Sequence, residues 1–491
     1  MSDISNLIYL GEHVRELDRI AIEEFNIPSF DLMQRAAQAA FEVLRSTWPA
    51  AKKVIILVGN GNNGGDGYVI AALALDVNLE VQLIQVGDHS KLSGDAKKAH
   101  DLFLGKGGEC EKFNDKPFLA CDVIVDAMLG TGLTRQVSGQ YANAINYVNQ
   151  HAAPAISIDI ASGLNANTGL PMGCAVKACK TITFVGQKLG LYTSAGREYS
   201  GKIIFDNLEI PQQVYQSMPS NCKSIELSEM HAALGARKVN AHKGDFGHVL
   251  VIGGNDGMAG SVMLAAEAAA RTGAGLISVA TIPQHATAAL HACKEVMVHG
   301  VNDLDVLNDL LKQCSVVAIG PGLGKDDWAK HLFARVLEFD LPMVVDADAL
   351  NLLAAEPMQK DSWVLTPHPG EAARLLNCST KEIQQDRLNS VQQLQKRYSG
   401  VCVLKGSGTL IASAGSASVC IAGNPGMASG GMGDVLTGII AGLLAQGLSS
   451  YDAARFGVQL HAQSADVAAE DGMRGMLASD LFQPLRKLVN Q

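Results

Sequence analysis

Short, uninterrupted apolar runs alternate with longer segments of helical periodicity along most of this chain. The opening is helical: residues 13–25 are followed by 31–47, where Leu32, Ala36, Ala39, Ala40, Val43 and Leu44 share one side. Six β-rich runs follow, at 54–58, 81–86, 123–126, 155–160, 181–185 and 203–205. Runs of this kind, apolar on both faces, predict a parallel sheet with helices on either side. At 210–224 the pattern breaks into IPQQVYQSMPSNCKS, a polar stretch with two prolines that reads as a linker. Alternation then resumes at 249–252, 276–280, 316–319, 343–346, 363–366, 401–405, 410–412 and 419–421. The motifs of the two halves do not repeat one another. The fold class expected is α/β, with two unlike layered sandwiches at 1–215 and 225–491, the first Rossmann-like. A chain of 491 residues is too long for one core, which agrees.

Composition narrows the chemistry. Apolar residues make up 47% and charged residues 18%, enough to bury large cores. A net charge of −10 without a basic cluster argues against nucleic acid or anionic membranes as partners. A phosphorylated ligand must then be held by local N–H groups and a few cations. Ten cysteines form no CxxC pair and 13 histidines no HExxH, so the zinc signatures are missing. Thiols among apolar neighbours, such as Cys121, Cys314, Cys402 and Cys420, read as reduced and buried. The opening MSDISNLIYLGEHV has no basic n-region, and no window reaches transmembrane length. A soluble, cytoplasmic protein is expected.

In the first half, VIILVGNGNNGGDGYVIA at 54–71 is a strand, a glycine loop and a helix. A lone glycine pattern is weak evidence for a dinucleotide site. Here Asn62 and Asn63 add side-chain amides, which suit a cation or a sugar-phosphate. The next strand ends in Asp126, and GTGLTRQVSG follows at 130–139 with Arg135 as its cation for phosphate. The strand after that ends in Asp159, with Ser162 close behind. A single strand-end Asp commonly caps the next helix. Three polar groups (Asn63, Asp126, Asp159) and two glycine loops on one rim indicate a ligand site instead.

In the second half, GNPGMASGGMGDVLTG at 423–438 carries five glycines up to Gly433 and then Asp434, directly before an apolar run. Such a turn delivers backbone N–H groups onto a helix start, where the dipole favours anions. Asp434 is a carboxylate in an anion site, so it reads as a base for a substrate proton or as a group that holds a cation, and phosphoryl chemistry is the favoured reading. KGSGT, Lys405 to Thr409, reads as a cradle for nucleotide phosphates, although it is not a Walker A loop. His368, between two prolines in LTPHPGE, reads as a ligand contact. Asp346 and Asp348 could form a metal pair; the preferred reading has Asp348 capping a helix at 349–353 and Asp346 ending the strand. Ala265, Ala266, Ala268, Ala269 and Ala270 read as the face of a helix packed close to the sheet.

The set GNNGGDG, GTGLTR and D-I-x-S-G-L-N resembles the NAD(P)H-hydrate epimerase family over 1–215, with Ala161 where that family usually has Pro. The resemblance implies that Asn62, Asn63, Gly64, Gly65 and Asp66 bind the hydrated dinucleotide together with Gly130, Thr131, Gly132, Leu133, Thr134, Arg135 and Gln136. It further implies K⁺ ligation by Asn63, Asp126 and Ser162, with Asp159 acting on the hydrated ring carbon. GPGLG, D-A-D-A-L-N, TPHPGE, KGSGT and GMASGGMGDVLTGII, in that order, resemble the ribokinase-like ADP- or ATP-dependent NAD(P)H-hydrate dehydratases. That resemblance places Gly260, Gly322, His368 and Asp434 at the hydrated nucleotide. It assigns Lys405, Gly406, Ser407, Gly408, Thr409 and Gly433 to ADP, with Mg²⁺ accompanying it. Met258, Gly260 and Ser261 stand where that family usually has an aromatic residue and Gly-Ala. The implied activity is repair of hydrated NADH and NADPH (NADHX and NADPHX) by a homo-oligomer. Phosphorylation at a kinase-like site would turn the ring hydroxyl into a leaving group, which the ring nitrogen's lone pair expels. A vitamin-precursor kinase and a non-enzymatic scaffold are the competing readings.

Overall fold

The computed structural model describes residues 4–490, so the first three residues of the N-terminal segment read above lie outside it, as does Gln491. The chain divides into two compact units, Met1–Lys223 and Ser224–Gln491. No helix among the described residues is long and apolar enough to cross a membrane, and all ten cysteines are free thiols.

The first unit is built on a seven-stranded sheet. Its order is Cys110–Lys112, Glu80–Gln85, Lys53–Val58, Val123–Ala127, Ala155–Ile158, Lys180–Phe184 and Lys202–Asp206, and every pairing is parallel. The central strands are buried on both faces, as their unbroken apolar runs require. One core lies under Gly11–Glu23, Ser29–Thr47 and Asn62–Asp76, and a second lies under Gly139–Gln150 on the other face. After Lys53–Val58 the chain winds to one side, then returns to place Val123–Ala127 on the other. The loops after these two strands therefore part at a switch point, where open α/β sheets collect ligands.

The second unit has the same logic with a different winding. Its strands run Met297–Gly300, Leu276–Thr281, His248–Ile252, Val316–Ile319, Met343–Val345, Trp363–Leu365 and Val401–Leu404 in parallel, and Leu410–Ser413 and Ser416–Val419 close this edge antiparallel. The last strand lies earlier than the apolar run at 419–421 suggests, because the two-residue turn at Ala414-Gly415 fixes its register. The alanine helix, Ala259–Thr272, packs on more than the sheet. A Cβ at Gly438 would stand 2.0 Å from the Ala265 carbonyl oxygen, and one at Gly442 2.9 Å from that of Ala269. The small residues thus let Ala259–Thr272 and Met432–Ala445 approach backbone to backbone.

The linker reading needs correction. Within 210–224, Gln212–Ser217 is a helix with Val214 and Tyr215 buried, and the Tyr215 hydroxyl donates to the Val185 carbonyl at 2.7 Å. Cys222 and Lys223 pair antiparallel with Ile8 and Leu7. Ile210, Val214, Tyr215, Cys222 and Ser224 are buried at spacings that match neither a helix nor a strand over the 15 residues, so they do not register as periodicity, yet they fix the segment.

Candidate active sites

In the first unit, the loops at the switch point meet over a cavity of about 510 Å³. Asn62, Asn63 and Asp66 line it from the helix Asn62–Asp76, Gly130 to Arg135 from the following loop, and Asp159 from the end of Ala155–Ile158. Three non-glycine residues lining it have positive φ: Asp159 (66°), Val185 (63°) and Leu208 (53°). Backbone strain of this kind, worst for β-branched Val185, collects where a site fixes side-chain direction. Asp159 is thereby aimed at Lys188, whose ammonium pairs with its carboxylate. Lys188 is fully buried and also donates to Thr183 Oγ1 (2.9 Å) and the Phe184 carbonyl (3.0 Å).

Asp126 and Ser162 lie beneath the cavity, both wholly buried. The partners of Asp126 are all neutral: Ser157 Oγ (2.8 Å), Ser162 N (2.8 Å) and Ser162 Oγ (2.5 Å) donate to it, with Met128 N at 3.4 Å. Burial raises its pKa against these hydrogen bonds. Neither amide atom of Asn63 has a partner among the described residues, although the residue is buried. Asn63 and Asp126 follow or end adjacent strands, and their amide and carboxylate oxygens, with the Ser162 hydroxyl, are donors of the kind a hard monovalent cation takes. No group of three or more His, Cys, Asp or Glu side chains is gathered as a metal site among the described residues. Arg135 is exposed at the rim. Gln136 does not line the cavity among the residues that do. Gly64 and Gly65 are buried in the helix's first turns.

The second site also forms at a switch point. Loops after His248–Ile252 and Val316–Ile319 bind each other through Gly254 N to Pro321 O (3.0 Å) and Asn255 N to Gly322 O (2.7 Å). The glycine turn expected before Asp434 is present: Gly431 has φ 86° and opens the buried helix Met432–Ala445. The first intrahelical bond runs from Val435 N to Gly431 O at 3.0 Å, so the N–H groups of Met432, Gly433 and Asp434 precede it. Asp434 also accepts from Ser261, in the first turn of Ala259–Thr272. Gly260 is in that turn with open space before it, and a Cβ on Gly322 would meet Met258 at 2.7 Å and Ser261 at 3.4 Å. Two helix starts and the Gly322 loop therefore converge on Asp434. Burial and then the charge of Asp346 push its carboxyl up to about 6, against Ser261 and Lys405.

Lys405 is committed to a carboxylate. Its ammonium donates to Asp346 Oδ1 at 2.7 Å, and Thr437 donates to Asp346 Oδ2 at 2.8 Å. Burial acts to lower the Lys405 pKa, but Asp346, Glu371 and Asp434 outweigh it and the net shift is upward. A Cβ on Gly433 would lie 3.4 Å from this ammonium. The loop from Gly406 to Thr409 is tied by Thr409 Oγ1 to Gly406 and by buried Arg387, which donates to the carbonyls of Leu404, Lys405 and Gly408 at 3.2–3.5 Å. Ser407 is exposed at its tip. His368 caps the helix Pro369–Leu376, its Nδ1 accepting from Gly370 N at 2.9 Å, so the proton resides on Nε2. Its pKa is lowered by burial, then by Lys405 and Arg374, which places the ring beside the same cluster. The helix read at 349–353 is Ala347–Ala355; its N-cap position is Asp346, and the Asp348 carboxylate accepts from Gly324 N at 2.9 Å instead of capping.

No local motif marks Lys188, Asp18 or Arg387; Asp346 does follow its strand end as expected, but its pairing with Lys405 and Thr437 is not legible in the chain. The one signal available was a lysine within the apolar stretch TITFVGQKLGLY.

The comparisons extend over nearly the whole chain. The family described as NAD(P)H-hydrate dehydratase matches residues 249–487, and the YjeF-related protein N-terminus family matches 29–190. The bifunctional NAD(P)H-hydrate repair enzyme Nnr of Coxiella burnetii is 47% identical over 486 residues, covering 99% of both chains. The enzyme of the same description from Escherichia coli is 44% identical over 489 residues, covering 99% of this chain and 95% of its own. A solved ribokinase-like superfamily protein from Enterococcus faecalis aligns with TM-score 0.52 and 30% identity, covering 55% of this chain and 95% of that one. This chain belongs to the family of bifunctional NAD(P)H-hydrate repair enzymes.

Proposed function

We propose that the chain restores hydrated NADH and NADPH by two activities, an epimerase in the first unit and an ADP-dependent dehydratase in the second. The observation that supports it most is Asp434, a carboxylate at two converging helix starts whose raised pKa suits a base near neutrality. In the dehydratase, Asp434 takes the proton of the ring hydroxyl as its oxygen attacks the terminal phosphoryl group of ADP. The N–H groups of Met432, Gly433 and Asp434 stabilise that group in transfer, and Gly406 to Thr409 hold the nucleotide. Lys405, held by Asp346, supplies positive charge beside Gly433. Mg²⁺ would enter with the nucleotide. The ring nitrogen's lone pair then expels phosphate, leaving AMP and the repaired ring. Gly260, Gly322 and His368 border the space for the hydrated nicotinamide nucleotide.

In the first unit, Asn62 to Asp66 and Gly130 to Gln136 would bind the same dinucleotide, and Asp159 would act on the hydrated carbon. Asn63, Asp126 and Ser162 would hold K⁺, which supplies fixed positive charge to an anionic part of the ligand. A kinase yielding a stable phosphorylated product is disfavoured, because the first unit's cavity would then have no role. The direct test is incubation of the full chain with hydrated NADH and ADP. Dihydronicotinamide absorbance should return in full from both epimers, with stoichiometric AMP and phosphate; accumulation of a phosphorylated product would refute the reading.

A further inference from the structure

The first unit's cavity holds more acid than this mechanism uses. Four carboxyl groups line it, Asp18, Asp66, Asp95 and Asp159. Asp95 is paired with Lys98 at 2.8 Å. The remaining three share one interior ammonium, Lys188, which is already paired with Asp159. Arg15 and Arg135 also line the cavity, but both are exposed. Three carboxylates around one buried ammonium cannot all stay ionised, so a proton remains on Asp18 or Asp66.

Asp18 lies on the helix Gly11–Glu23 among buried Val14, Leu17 and Ala21, and makes no hydrogen bond or ion pair among the described residues. Tyr215 is near enough to feel the charge of Asp18, and its hydroxyl is committed to the Val185 carbonyl. An unpaired carboxyl turned into a cavity from an apolar helix face is costly as an anion and serviceable as an acid. Burial first, and then the charge of Asp159, push it up to about 7 against Lys188, whereas Asp66 is held well above the usual carboxylate range. Asp18 is therefore the readier of the two to give up its proton.

We propose that Asp18 is the acid that works with Asp159 in epimerisation: Asp18 protonates the hydroxyl on the hydrated carbon, and Asp159 deprotonates the water that returns to the other face. The inference rests on the epimerase reading above. In the step, the Asp18 proton goes to the hydroxyl and the C–O bond breaks with its electron pair leaving on water. The ring nitrogen's lone pair forms C=N⁺. A second water adds to the opposite face, the C=N⁺ electrons return to nitrogen, and the added water's proton passes to Asp159. One water is lost and one gained; exchange with solvent returns both carboxyls to their starting states.

The test is the pH–rate profile for interconversion of the purified epimers of hydrated NADH by the full chain without nucleotide, which keeps the dehydratase silent. The wild-type rate should fall about tenfold per pH unit above about 7 as Asp18 loses its proton. Asp18→Asn should lower the rate about 10²-fold or more and abolish that alkaline limb, with its thermal transition retained. Asp18→Glu should restore both rate and limb in part. An Asn variant at wild-type rate, or one retaining the alkaline limb, overturns the proposal. Should the Asn variant not melt cooperatively, the Glu variant decides: a displaced limb supports Asp18 and an unmoved limb overturns it. A wild-type chain that interconverts no epimers would sink the epimerase reading itself, which is a separate result.

Discussion

A carboxylate serves as a base only where its surroundings hold its proton loosely enough to lose and tightly enough to take. Asp434 is set at about 6 by burial and the charge of Asp346. Dehydration should therefore rise with pH through about 6 and level off above it, since the raised pKa keeps the carboxyl protonated below that point. Asp434→Asn should cost about 10²–10⁴-fold in turnover while ADP binding, measured by calorimetry, persists. Near-normal turnover in that variant would remove Asp434 from the mechanism. Asp159→Ala should leave a chain that consumes the S epimer and stops with the R epimer unrepaired; clearance of both, faster than they interconvert alone, would place the base elsewhere. Asn63 offers a different contrast. Its buried amide has no hydrogen bond to lose among the described residues, so Asn63→Ala should leave the melting temperature within about 0.5 kcal/mol equivalent of wild type. Its epimerase should nevertheless lose the response to added K⁺. A large drop in melting temperature would mean that the amide is structural.

At the scale of elements, each site arises where two loops leave adjacent strands in opposite directions. The second site additionally needs two helices to start side by side, and Gly438 permits it. Gly438→Ala would set a Cβ 2.0 Å from the Ala265 carbonyl oxygen, and backbone cannot yield as a side-chain end does. We expect a loss of about 1–3 kcal/mol in chemical denaturation, together with reduced dehydratase turnover as Asp434 and Ser261 separate. Epimerase activity should be unchanged. Unaltered stability would mean that the helices can part without penalty.

Across the whole molecule, each unit carries its own sheet, core and switch-point site. A fragment ending at Lys223 retains the helix Gln212–Ser217 and the pairing of Cys222 and Lys223 with the first strand. It should fold and epimerise alone, as followed by circular dichroism and epimer interconversion. An insoluble fragment from an active full chain would point to a shared interface. A cut at 215 would discard the Cys222–Lys223 pairing and fray the first strand.

The sequence by itself determined the α/β class, most strands of each half and the glycine loops that mark each site, because these are local: apolar period, turn chemistry and helix starts are written in neighbouring residues. The edge strands Cys110–Lys112 and Met297–Gly300 escaped it, since partly exposed edges carry no unbroken apolar run. It also placed Asn63, Asp159 and Asp434 at strand ends or helix starts. Only the tertiary structure decided which groups meet. Lys188 reaches Asp159 across 29 positions, Lys405 reaches Asp346 across 59, and Thr437 reaches Asp346 across 91. Asp18 enters the first cavity from a helix whose pattern reads as ordinary amphipathic packing. Those meetings follow from strand order and register, which depend on how whole sheets assemble. The charges that tune each carboxylate are therefore set by topology, and no local pattern in the chain records them.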